Sequence, residues 1–301
     1  EGIQTQISTY GEIKSLTSKL GDIASKLTRD SAWNGVTISS SNSTITGTMT
    51  GIAAPGTYNI KVTQLAQAQT TVIGGTGGAG GSALAKDQTM GADGTIKLKM
   101  GAVEKDISVS DSDTLTKIAT KINEAEMGIQ ASVVTDVDGK ERLMLRSKET
   151  GTDKAFTVDL SSAPGVLGQN TTQNAQNAKV ELNGLVVESS SNTFANTIPG
   201  MSFTVSEVTS TAATLNVKAD TEAMKKNIQE FVDTYNELND LLTQSTKYVE
   251  ESKTAGVLQG DSATVSLQNS LRMLTQGISG STGGLTRLAE IGIQMQEGGK
   301  L

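Results

Sequence analysis

The 301-residue chain contains no histidine and no cysteine, and its only aromatic residues are one Trp, four Tyr and four Phe. Without histidine the commonest general base and metal ligand is missing, and without cysteine there is neither a thiolate nucleophile nor a disulfide. Catalysis would have to rest on carboxylates, Lys, Ser, Thr or Tyr, and these show no nucleophile–base pair and no metal-ligand spacing. The chain is therefore read as non-enzymatic, with no catalytic residue, no cofactor and no metal site. The lack of cysteine suits a reducing cytosol, and equally a protein exported unfolded that must not cross-link on the way. Positive charge is also scarce: 25 Lys and Arg against 32 Asp and Glu leave a net charge of −7. No basic run supplies the patch that binding a phosphate backbone needs, which argues against a nucleic-acid partner. Long apolar runs are missing too, and Glu1-Gly2-Ile3-Gln4 carries no basic segment followed by an apolar stretch. Neither membrane insertion nor a cleavable signal peptide is expected.

What is present has a clear order. The length exceeds what one hydrophobic core usually serves, so two or three domains are expected. Ile3, Ile7, Tyr10, Ile13, Leu16, Leu20, Ile23 and Leu27 recur by threes and fours, the pattern of an amphipathic helix. Beyond Asn34-Gly35 the texture turns to Ser, Thr, Gly and β-branched residues, with alternation in Val36-Thr37-Ile38 and Tyr58-Asn59-Ile60-Lys61-Val62. Strands and turns are expected from there to about Val217. One helix interrupts them, capped by Asp113, carrying Leu115, Ile118, Ala119 and Ile122, and ended by Gly128. A hairpin follows, Ile129 to Val137 and Arg142 to Leu145, turned at Asp138-Gly139. The helical period returns with Met224, Ile228, Phe231, Tyr235, Leu238 and Leu242. Gly260-Asp261 starts a last helix carrying Leu267, Leu271, Leu274 and Ile278, closed by Gly280.

The helical segments at the two chain ends need each other to bury their apolar faces. The fold class expected is α+β and multidomain: a helical, coiled-coil-like domain built from both ends, with two nested β-rich domains inserted. The boundaries read as 1–34 plus 221–301 for the helical leg, 35–73 plus 175–220 for the middle domain, and 74–174 for the outer domain with its one helix. The tract Gly74-Gly75-Thr76-Gly77-Gly78-Ala79-Gly80-Gly81 and the polar tract Gly168 to Asn174 read as the linkers to and from the outer domain. Gly74, Gly75, Gly77, Gly78, Gly80 and Gly81 are hinge candidates.

Several strings imitate functional motifs. Gly75-x-Gly77-x-x-Gly80 matches a dinucleotide fingerprint literally, but Ser82-Ala83-Leu84-Ala85-Lys86-Asp87 is no amphipathic helix to meet a pyrophosphate, so linker is the better reading. Asp136-Val137-Asp138-Gly139 resembles the start of a calcium loop, yet the twelfth position is Ser147 where a Glu is needed, and a hairpin turn fits better. Asp106, Asp111 and Asp113 could pair carboxylates, but capping and solvated faces explain them more simply. Trp33 reads as a junction packing residue. The helical stripes are first of all core, with some ridge kept for a neighbour.

Three ordered segments resemble one family. Gly56 to Gln69 (Gly56-Thr57-Tyr58-Asn59-Ile60-Lys61-Val62-Thr63-Gln64-Leu65-Ala66-Gln67-Ala68-Gln69) is similar to a signature strand of bacterial flagellar filament cap proteins, the hook-associated protein 2 family. Val180-Glu181-Leu182-Asn183-Gly184, with Ser190-Ser191-Asn192-Thr193 and Ile198-Pro199-Gly200, resembles a repeat shared by cap proteins and some flagellins. The third match runs from Thr114-Leu115 through Ile122-Asn123 and Gly128-Ile129 to Leu145 through Gly151. The resemblance implies a structural cap at the distal tip of the filament, extracellular, exported unfolded through the flagellar apparatus. It implies a homo-oligomeric ring, a pentamer, whose partners are flagellin and the hook–filament junction proteins. It also implies further terminal segments, so the chain is read as a fragment lacking both ends. The alternative is an adhesin whose outer β-rich domain binds a host surface or mucin glycans. No interface residue can be named from the sequence.

Overall fold

The helical period at the two chain ends folds into one unit, Glu1–Gly35 with Ala219–Leu301, and the alternating middle into another, Val36–Lys218. The computed structural model describes residues 2–75, 83–250, 253–277 and 287–301. The class is α+β: a helical unit from both chain ends, with two nested β-rich domains, each around its own core, between its halves.

In chain order, α1 (Gly2–Leu27) is followed by β1 (Val36–Ser40), β2 (Ile45–Met49) and β3 (Gly56–Gln64). The next stretch holds β4 (Thr70–Gly75), β5 (Gly94–Met100), β6 (Val103–Val109), α2 (Leu115–Glu124), β7 (Ile129–Thr135), β8 (Glu141–Ser147), β9 (Phe156–Asp159) and β10 (Leu167–Gln173). Then come β11 (Ala178–Leu182), β12 (Leu185–Ser189), β13 (Thr193–Ile198), β14 (Met201–Val205) and β15 (Ala213–Ala219), and finally α3 (Thr221–Thr246) and α4 (Ser262–Gln276).

In the helical unit, Ile13 and Leu20 of α1 meet Tyr235, Leu238 and Leu242 of α3 and Leu258 in one core, with Leu267 and Leu271 of α4 at its margin. Burial of that face, at about 1.5–3 kcal/mol per large aliphatic side chain, stabilises helices that propensity alone would not hold. Each late helix starts where an Asp can satisfy a free amide. Asp220 accepts from the Ala223 N–H at 2.9 Å, and Asp261 accepts from the Thr264 N–H at 2.7 Å.

In the β-rich unit, the five-stranded sheet β1-β15-β3-β11-β12 and the three-stranded sheet β13-β14-β2 share a core of Ile60, Val62, Val180, Leu215, Phe194 and Phe203. Phe194 and Phe203 face each other across β13 and β14 and stack with centroids 4.8 Å apart and planes 5° from parallel. The second core joins the sheets β10-β4-β8-β7 and β6-β5-β9 to α2 through Ile96, Leu98, Ile118, Ile122, Leu143 and Leu145. The β7–β8 hairpin turns where Asp138-Gly139 requires it, with Gly139 at φ +73°.

Several local expectations are corrected. The α2 cap is Thr114, whose hydroxyl accepts from the Lys117 N–H, because the Asp113 carboxylate turns inward to Lys121 instead. That helix ends at Ala125, and Gly128, at φ +78°, shapes the entry to β7. The polar tract 168–174 is not a linker: up to Gln173 it is β10, paired antiparallel with β4. Gln169, Thr171 and Thr172 stay exposed, but the Thr171 hydroxyl bonds that of Thr71 at 3.0 Å and Gln169 donates to the Val158 carbonyl at 2.7 Å. Gly74 and Gly75 are likewise buried ladder positions, opposite Gly168 and Leu167. Gly77, Gly78, Gly80 and Gly81 lie outside the described residues, as do Ile278 and Gly280. The last described turn of α4 is at Gln276, with Gly277 after it.

Candidate functional site

The motif-like strings dissolve into local structure. The Asp136 carboxylate accepts from the Asp138 and Lys140 amides, both at 3.0 Å, and pairs with Arg142 at 3.6 Å, so it closes a hairpin turn. Asp106 faces Lys97 across the β5–β6 ladder at 3.9 Å, the Asp111 amide donates to Asp93, and Asp113 is buried beside Lys121. Asp106 and Asp113 thus serve different lysines, and at Asp111 it is the backbone N–H that is engaged. Among the described residues no cluster of three or more Asp or Glu forms a metal-binding group, and no helix is long and apolar enough to cross a membrane. Trp33 keeps its ring partly exposed and donates its indole N–H to the Leu27 carbonyl at 2.7 Å, which ties the end of α1 to the turn after it.

Among the described residues, Asp113 is the one deeply buried carboxylate with an ion-pair partner, 6% exposed at its side chain. Burial pushes its carboxyl up, but hydrogen bonds from Lys121 and from the Ser110 N–H, at 2.8 Å for the latter, outweigh it and hold the group below its ordinary range. The pair fastens α2 to the segment before it, and Lys121 also donates to the Ser108 carbonyl at 2.9 Å.

Sequence reasoning missed a recurring device. A side-chain amide accepts from the N–H and donates to the C=O of a single residue, and so acts as a one-residue strand partner. Gln69 does this to Phe156 at 3.0 and 2.7 Å. Asn123 does it to Ala131 at 2.8 and 2.9 Å, and Asn236 to Leu301 at 2.8 and 2.9 Å. Sequence carries no signal for these pairs, because the partners are up to 87 residues apart.

The helical stripes divide into core and surface. Ile13, Leu20 and Ile23 of α1 are buried, whereas Ile3 and Ile7 on the same stripe are exposed, as are Met273 and Leu274 of α4. The exposed Tyr10 hydroxyl bonds Asp261, which pushes the phenol pKa up. The Asp261 carboxyl is held down first by Thr264 and then by Tyr10. Between α1, α3 and α4 lies an apolar cleft of about 340 Å³. Leu20, Gly21, Phe231, Leu271 and Tyr235 line it. The Tyr235 hydroxyl is fully buried with no hydrogen-bond partner among the described residues. An orphaned hydroxyl costs about 1–3 kcal/mol, so Tyr235→Phe is expected to leave the melting temperature unchanged or raised. A clear drop would show that the hydroxyl has a partner after all.

Comparison with known proteins follows this architecture. The family models for the N-terminus and the C-terminus of flagellar hook-associated protein 2 match residues 1–69 and 175–301, and the flagellin hook IN motif matches 94–149. The motif named for flagellin overlaps the third family-like segment. Flagellar hook-associated protein 2 of Escherichia coli K12 is 30% identical over 96% of this chain and 65% of its own length. That of Aeromonas caviae is 29% identical over 99% of this chain and 68% of its own. The chain therefore spans about two thirds of the length of these curated relatives. The crystal structure of the flagellar cap protein FliD D1-D2-D3 domains from E. coli superposes with a TM-score of 0.74 at 28% identity, covering 97% of this chain and 83% of that one. FliD of Pseudomonas aeruginosa PAO1 gives 0.56 at 25% identity, covering 69% and 99%. None of these relatives supports the adhesin alternative. With both terminal models matched in order and the whole three-part architecture superposed, the chain belongs to the flagellar hook-associated protein 2 family.

Proposed function

We propose that the chain works as a subunit of the cap at the distal end of the bacterial flagellar filament, retaining exported flagellin and promoting its folding and polymerisation. The observation that carries this reading is the superposition of nearly the entire chain, helical unit and both β-rich domains, on a solved cap protein. On this reading the protein is extracellular, reaches the tip through the flagellar export apparatus without a cleaved signal, and passes the hook–filament junction proteins on its way. It assembles as a homo-oligomeric ring, five subunits in the closed form. Such a ring requires a heterologous interface, in which one patch meets a different patch on the next subunit.

The work asked of the chain is repeated docking and release, which needs binding energy and no covalent chemistry. Exposed Ile3 and Ile7 on α1 and Met273 and Leu274 on α4 offer apolar area on the leg. The test is complementation of cells that lack their own cap, using the complete gene product and electron microscopy. Restored filaments carrying this protein at the tip are expected. Unpolymerised flagellin shed into the medium would overturn the assignment.

A further inference from the structure

The described sheet edges are guarded unequally. β7, at the edge of its sheet, has Ala131 covered by the amide of Asn123, and β6 carries Glu104, Lys105 and Asp106. Such covers and charges keep edges from pairing with other chains. β12 is different. It pairs only with β11, has no bulge, and reads Leu185-Val186-Val187-Glu188-Ser189, with no proline and no lysine. Leu185 is 71% and Val186 68% exposed, two consecutive large apolar residues on an open edge.

The register says which groups that edge offers. Asn183 and Gly184, at φ +47° and +85°, form a two-residue turn of the mirror-image kind. Leu182 and Leu185 are then the first hydrogen-bonded pair, Val180 and Val187 the next, and Val186 and Glu188 turn their N–H and C=O outward. The one charge, Glu188, is already held by Lys179 at 2.9 Å.

We propose that β12 is a pairing edge for β12 of a second copy of this chain, antiparallel and centred on Val186. In that register Val186 exchanges both backbone hydrogen bonds with its counterpart, and Leu185 lies opposite Val187 of the other copy. Glu188 falls opposite Gly184, so no like charges meet. The edge is self-complementary in hydrogen bonding, in apolar match and in charge, which selects a second copy over an unrelated strand. A five-residue strand buries far less than the ~1,000 Å² of a stable interface. The contact is therefore weak between isolated chains and, being twofold, links copies that are not neighbours within one ring. It does not depend on the capping role.

The absence of cysteine makes the test clean. Directly opposed, hydrogen-bonded antiparallel residues have Cα atoms about 5.5 Å apart, within disulfide reach. Val186→Cys in the whole chain is expected to form a covalent dimer under mild oxidation several-fold faster than Val208→Cys, a control at another exposed valine. Val186→Lys, which sets two lysines face to face, is expected to abolish concentration-dependent dimerisation in sedimentation. Equal, slow cross-linking of both cysteine variants overturns the proposal, as does dimerisation that Val186→Lys leaves intact.

Discussion

Gly200→Ala is expected to be among the most damaging single substitutions in the β-rich unit. Pro199-Gly200 joins β13 to β14 as a two-residue turn, with Ile198 opposite Met201 and Gly200 at φ +75°. Proline presets the first turn position and only glycine takes the second without strain. Space is the larger obstacle: a Cβ on Gly200 would lie 2.2 Å from the Ile52 carbonyl oxygen and 2.7 Å from the Ala53 nitrogen. Both are backbone atoms, so no side chain can swing aside. The Gly200 carbonyl also accepts from the amides of Thr50 and Gly51, at 3.0 and 3.1 Å, and any shift breaks that clamp. Left-handed strain of about 1–2 kcal/mol plus a displaced turn places the loss at roughly 3 kcal/mol or more. Gly139→Ala isolates the strain, because Gly139 has φ +73° with nothing within 4 Å of its Cβ position. Chemical denaturation should show the Gly200 variant far less stable than the Gly139 variant; similar losses would refute the steric account.

The second large effect is expected at the ion pair behind α2. Lys121→Met leaves the Asp113 carboxylate buried with the Ser110 amide as its remaining close donor. Breaking a wholly buried pair costs about 3–5 kcal/mol. Lys121 keeps about a third of its side chain exposed, which lowers the expectation to roughly 2–3 kcal/mol near neutral pH. The pH dependence gives an independent signature. The native Asp113 carboxyl is held below its unfolded value. Its contribution is therefore present above the unfolded pKa of about 4 and is lost as pH falls through the lower, folded one. In Lys121→Met the same burial is opposed only by the Ser110 N–H and Lys117, so the carboxyl is held down less than in the wild type. The gap between wild type and variant should narrow as pH is lowered through the acid range. A gap that stays constant from neutral pH to below pH 4 would show that the charge pair is not its origin.

The sequence carried the outline because its signals were local. Spacing by threes and fours from Ile13 to Ile23 and from Phe231 to Leu242 marks helices wherever those residues are placed, and Asp138-Gly139 turns a hairpin in any setting. Signals that composition blurs were misread. Gly168 to Asn174 is polar enough to pass for a linker, yet up to Gln173 it is a strand because β4 lies beside it with matching donors and acceptors. Asp113 sits where a helix cap belongs, but Lys121, two turns on, competes for its carboxylate and Thr114 takes the cap. The candidate surfaces were least legible. Val186 in a strand pattern looks like any core valine until the sheet order places β12 at an edge.

The sequence by itself determined that no thiol or imidazole chemistry is available, that helices at both ends enclose a β-rich middle, and that three ordered segments resemble cap proteins. These follow from residue identity and near-neighbour spacing. Only the tertiary structure decided which half of the α1 stripe is core, which edges are covered by a side-chain amide, and which strand was left bare. Those outcomes depend on hydrogen bonds and packing between residues such as Gln69 and Phe156, 87 apart in the chain, and backbone groups pair by position in space, whatever the distance in sequence.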